Sequence, residues 1–151
     1  MSNINTIKYN VHSGDTMDRI DTRICLQILE AWQQLKSIIE TYAASRNLTL
    51  QQIFVLYHLY SEDHILMGTL AKQLHCDASN VTGMIDRLEV TGLITRQALP
   101  ADRRAKQLTI TATGRELIDN LIPYLPAGLG LQKLASSEQS NLHCILAKLT
   151  S

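Results

Sequence analysis

The first strong pattern along the chain is an apolar stripe at Cys25, Ile28, Trp32, Leu35, Ile39 and Tyr42. Steps of three and four residues return to one side of an α-helix, so the stripe predicts a helix of about 25–30 residues. Ile24, Leu29 and Ile38 widen it beyond a coiled-coil seam. A helix this long in a small domain offers surface to a partner. Thr49, followed three residues later by Gln52, is a capping-box pattern. The helix it starts carries Ile53, Leu56, Tyr57 and Tyr60 on its apolar face, and the polar run Ser61 to His64 ends it. A short helix from about Met67 to His75 follows, with Met67, Leu70, Ala71 and Leu74 facing inward. Asp77 stands where an oxygen acceptor would cap the next helix, Ala78 to Thr91. Val81, Met84 or Ile85, and Leu88 point inward there, leaving Ser79, Asn80, Thr82, Gly83, Asp86 and Arg87 on the outer face. Gly92 stops that helix, because glycine accepts the left-handed conformation after a last turn.

The period then drops to two. Ile94 to Ala98 and Lys106 to Ile110 read as two short strands joined by Leu99 to Ala105, whose proline disfavours a continuing strand. Thr111 is placed to cap a further helix through Leu117, Ile118, Leu121 and Ile122, which Pro123 and Pro126 kink or end. Ser136 followed three residues later by Gln139 reads as a second capping box, opening a last helix with Leu142, Ile145, Leu146 and Leu149. The expected fold is mainly α, a winged helix-turn-helix flanked by N- and C-terminal helices. Its parts are residues 1–46, 47–115 and 116–151, within one compact structural domain.

Composition narrows the class. The 151 residues, 45% of them hydrophobic, are enough for one domain with a core. No apolar run reaches the roughly 18–20 residues of a membrane span, and the polar start, Met1 to Ser13, lacks the apolar centre of a secretory signal. A cytoplasmic protein with no membrane partner is expected. Cys25, Cys76 and Cys144 are too few and too scattered for a disulfide framework. Cys25, within the apolar stripe and near Asp21, fits a buried packing residue better than a reactive thiol, which needs an electropositive, partly exposed setting. Cys76 and Cys144 read the same way. The five histidines form no close pair, and the spacing of His143, Cys144 and Glu40 does not support a metal site. No nucleophile–base pair or phosphate-cradling loop appears either, so neither enzyme activity nor a cofactor is expected.

The 14 basic and 14 acidic side chains cancel overall but not locally. Residues 1–66 hold five basic and seven acidic groups. Residues 87–115 hold six basic groups (Arg87, Arg96, Arg103, Arg104, Lys106, Arg115) against Glu89 and Asp102. Such a local excess serves either a polyanion-binding face or a solvated loop. Small hydrogen-bonding side chains outside the helix Ala78–Thr91 suit the floor of a major groove. Gly83, mid-helix, costs about 1 kcal/mol relative to alanine, so either DNA or a neighbouring helix comes close there, unless packing simply tolerates it. Arg87 either reaches a phosphate or guanine edge or pairs with Asp86 or Glu89. Arg103 and Arg104 suit a narrow minor groove, with Lys106 beside a phosphate. Asp102 would hold the hairpin tip. With Thr69, these residues (Ser79, Asn80, Thr82, Gly83, Arg87, Arg103, Arg104, Lys106) form the expected DNA-contacting set, and Asp102 the wing-stabilising group.

The chain resembles the MarR family of winged-helix transcriptional regulators. The resemblance runs through Leu48 to Gln52, Leu70 to Leu74, Arg87-Leu88-Glu89, Gly92-Leu93-Ile94, Pro100 to Lys106 and Leu108 to Gly114. Its most specific piece is the Asp-x-Arg wing sequence, Asp102 to Arg104. The resemblance implies a homodimer, joined through N- and C-terminal dimerisation helices in residues 1–46 and 116–151, whose residues 47–115 bind a pseudo-palindromic double-stranded DNA operator, usually as a repressor released by a small-molecule effector. The two recognition helices would then stand about 34–36 Å apart. In the family the linking helix is long and continuous, whereas Pro123, Pro126, Gly128 and Gly130 interrupt it here. A winged-helix protein-interaction module without DNA function, and a redox-sensing regulator using Cys25, are the alternatives.

Overall fold

The computed structural model describes residues 20–74, 76–98 and 105–150. His75 and the hairpin connection with Asp102, Arg103 and Arg104 lie outside the described residues. The elements run α1 (Ile20–Ala44), α2 (Leu50–Ser61), β1 (Ile65–Leu66), α3 (Met67–Gln73), α4 (Ala78–Val90), β2 (Ile94–Ala98), β3 (Lys106–Ile110), α5 (Ala112–Leu121), α6 (Tyr124–Gly128) and α7 (Ser136–Thr150). A single 3-10 turn, Leu131–Lys133, lies between α6 and α7. Residues up to Gln33 form one compact unit and those from Gln34 onward another.

Local chemistry accounts for most boundaries. Thr49 Oγ1 accepts the Gln52 amide at 3.3 Å while Gln52 Oε1 accepts the Thr49 amide at 2.9 Å, closing the expected capping box. Gly92 turns out of α4 with φ at +72°, the conformation that an L side chain resists. Thr111 Oγ1 accepts the Gly114 amide at 3.1 Å and starts α5. Asp77 occupies the N-cap position of α4 with extended backbone, but its carboxylate accepts no capping hydrogen bond. The box expected at Ser136 is shifted by one residue. Glu138 Oε2 accepts the Ala135 amide at 2.8 Å, so Ala135 precedes the helix and offers no side-chain acceptor of its own. Pro123 and Pro126 separate α5 from α6, and Pro126 lies within α6, in a first turn that has no need of its missing N–H.

Like α6 and the 3-10 turn, β1 has no counterpart in the sequence reading. β1 pairs antiparallel with β3, Ile65 opposite Leu108 and Leu66 opposite Gln107, giving a three-stranded sheet in the order β1-β3-β2. β2 and β3 pair from Ile94 opposite Ile110 to Ala98 opposite Lys106. The core of the unit from Gln34 onward gathers Leu56 and Leu59 of α2, Leu70 of α3, Val81, Ile85 and Leu88 of α4, Leu108 of β3, and Ile118 and Leu121 of α5. Ile39 and Ala43 at the end of α1 join it. Ile122, expected inward, is 40% exposed, because α5 ends one residue before it.

The first half of α1 and much of α7 leave apolar side chains uncovered. In the first unit Ile20, Ile24, Ile28 and Leu29 are exposed, and so is Cys25, which was expected to be buried. The stripe that would bury Cys25 finds no cover within its own unit. On α7, Ile145 and Leu149 are exposed, as is Cys144; Cys76 alone of the cysteines packs against the core. Among the described residues no helix is long and apolar enough to cross a membrane.

Candidate nucleic-acid interface

Helix α4 is held by three side chains with no exposed surface, Val81, Ile85 and Leu88. Burial of each is worth about 1.5–3 kcal/mol, well above the 0–1 kcal/mol of a surface ion pair, so apolar packing decides which side faces out. On that outer side Ser79, Asn80, Gly83, Asp86 and Arg87 are exposed and Thr82 is half-buried. A Cβ built at Gly83 meets nothing within 4 Å. A neighbouring helix is therefore not the reason for this glycine. The outer face is not wholly polar, since Val90 at the last position of α4 is 88% exposed.

Electrostatics beside this face are set by a residue that sequence reasoning missed. Arg96, on β2, reaches across to α4, and its Nη2 lies 2.6 Å from Glu89 Oε2 and 2.8 Å from Asp86 Oδ1. Partial burial works against the charge of the guanidinium, but the hydrogen bonds from Glu89 and Asp86 outweigh it and raise its pKa. Both carboxylates proposed as partners for Arg87 are thus engaged by Arg96. Arg87 is exposed with no ion pair among the described residues. The sequence offered two weak signals for Arg96: its place in the basic cluster of residues 87–115, and its spacing of two from Ile94, which puts it on the inward side of β2.

Thr69 and Lys106 come together from α3 and β3. They line one groove of about 480 Å³ with Lys72, Leu66, Met67, Gly68 and Ala105. Lys72 thus joins the two as a second cation that the sequence did not single out. The sheet behind the groove is tied down at His64, whose φ is +63°. Its carbonyl accepts from Gln107 Nε2 at 3.2 Å, and its Nδ1 lies 3.1 Å from Thr109 Oγ1. Among the described residues no three His, Cys, Asp or Glu side chains are grouped to hold a metal ion.

A short helix, a turn, a second helix with an open polar face, and a β-hairpin beside it make a winged helix-turn-helix. The sequence model of the MarR family matches residues 48–106, the stretch from just before α2 to the first residue of β3. Over that stretch the chain is similar to the MarR family. Members of the MarR family are non-enzymatic DNA-binding regulators. One relative is the organic hydroperoxide resistance transcriptional regulator of Bacillus subtilis strain 168, 23% identical over 131 residues, 87% of this chain and 89% of that protein. The reduced form of MarR from E. coli superposes with a TM-score of 0.70 at 26% identity, covering 85% of this chain and 96% of that one. A mutant E. coli MarR complexed with operator DNA has the same fold, with a TM-score of 0.67 at 23% identity over 91% of this chain and all of that one.

Proposed function

We propose that this protein is a sequence-specific transcriptional regulator of the MarR family, a homodimer that represses by occupying a pseudo-palindromic operator and leaves it when a small effector binds. The observation that carries the reading is the outer face of α4, small and hydrogen-bonding and open beside a hairpin. A face of that kind fits a major groove, where base edges present distinct donors and acceptors. Ser79, Asn80, Thr82, Gly83 and Arg87 are the groups assigned to the groove floor and its phosphates, with Thr69 and Lys106 on the flanking backbone. Arg103 and Arg104 enter the adjacent minor groove, and Asp102 holds the tip that presents them. The DNA-bound E. coli relative of the same fold supports this reading.

Dimerisation is assigned to residues 1–46 and 116–151. Exposed Ile20, Ile24, Ile28 and Leu29 in the first unit, and Ile145 and Leu149 on α7, support it. Contiguous apolar surface of that kind marks an interaction site. Repression then needs only that the bound dimer block the promoter.

Selection of bound duplexes from a random DNA pool, repeated with candidate effectors, tests the whole reading. A palindromic consensus with a steep loss of affinity as salt rises is expected, because phosphate contacts release counterions. Arg104→Ala weakens binding strongly and leaves folding and dimerisation intact. A pool that yields no consensus, with binding flat across salt, would favour a protein-interaction module instead.

A further inference from the structure

The outer face of α4 carries a carboxylate where a polyanion is proposed to approach. Asp86 is one turn beyond Gly83 on the same side of the helix, and its side chain is half exposed. Glu89, the next acidic residue, is 36% exposed. Both stand where phosphate would repel them, yet both are in contact with one guanidinium nitrogen arriving from the neighbouring strand. Arg96 itself is only 26% exposed. Its two carboxylate bonds engage it from the protein side, so its charge is spent inside the protein. Resting on the DNA-binding reading above, we infer that Arg96 is a positioning residue for that interface, offsetting one of the two carboxylate charges on the flank of α4 and fixing β2 against the helix so that a duplex is repelled less.

Without Arg96 the trio changes from a net single negative charge to a double one beside the groove-facing surface. Without Asp86 it changes to zero. The two substitutions therefore act in opposite directions on DNA affinity, although each breaks the same ion pair. A purely structural clamp behaves differently: losing either partner loosens the wing and weakens binding alike.

The test uses the full-length protein and a random-sequence duplex of fixed length, with affinity measured at several salt concentrations and thermal melting recorded for every variant. Arg96→Gln is expected to weaken binding about tenfold at low salt, with a deficit that shrinks as salt screens the carboxylates. Asp86→Asn alone tightens binding, and added to Arg96→Gln it restores most of the loss. Arg96→Lys keeps most of the wild-type affinity, because it keeps the charge. Weaker binding by Asp86→Asn alone, or no recovery in the double variant, overturns the inference while leaving DNA binding in place. If Arg96→Gln does not fold, the comparison of Asp86→Asn with the wild type decides by its sign. A wild-type protein that binds no duplex removes the DNA reading itself and this inference with it.

Discussion

Gly83→Ala separates the two demands that meet on α4. Alanine is favoured over glycine inside a helix by about 0.8–1 kcal/mol, and the added methyl meets nothing within 4 Å in the protein. The folded chain therefore gains nearly the full helix preference. For a domain of this size a gain of 1 kcal/mol raises the melting temperature by about 2–4 °C. If a duplex comes against the helix at this position, the same methyl intrudes on the contact. Overpacking of a fitted surface costs about 1–3 kcal/mol, so affinity falls by about 5- to 150-fold. Thermal melting and a titration with a selected duplex measure the two sides independently. The expected outcome is a more stable protein that binds DNA worse. A raised melting temperature with unchanged affinity would refute close approach at Gly83, and a lowered one would refute the open space around it.

Two further effects concern the fold. Gly114→Ala places a Cβ 2.3 Å from the Leu93 carbonyl oxygen and 2.7 Å from Ile110 Cγ1, so a loss of about 1–3 kcal/mol is expected in denaturant unfolding; an unchanged midpoint would contradict it. Burial lowers the His58 pKa below the ordinary 6.5, partly offset by Glu62. Below that pH the unfolded chain takes up a proton that the folded helix resists, so stability falls as pH drops through 6.5 and is level above it. His58→Asn flattens this acid-side slope in melting experiments, and an unaltered slope would assign it elsewhere.

The parts of the fold written in the sequence are those that local chemistry decides. Period two marked β2 and β3, Gly92 marked the end of α4, and the threonines at 49 and 111 marked two helix starts. β1 was illegible because two residues carry no period, and Ile65 could equally belong to a loop. At α7 the same run of side chains admits two capping frames. Ser136 with Gln139 offers the better N-cap, but Glu138 reaching back to Ala135 forms instead. For the candidate site, the outward residues of α4 follow from helical spacing once Val81, Ile85 and Leu88 are assigned inward. Arg96 does not, since its partners on α4 are seven and ten residues away and meet it only after the strand has folded back. Exposure of Cys25 was missed because a stripe in a sequence tells that a surface is apolar, not what covers it.

Thr111 stands at a crossing of several of these elements. Its hydroxyl donates to the Gly92 carbonyl at 2.8 Å while accepting the Gly114 amide, and its own amide donates to the Leu93 carbonyl at 3.0 Å. The exit of α4, the foot of the hairpin and the head of α5 are thereby riveted at a single side chain. A displacement of the head of α5 therefore pulls on the exit of α4 through these three hydrogen bonds, and Thr111→Val would slacken that tie.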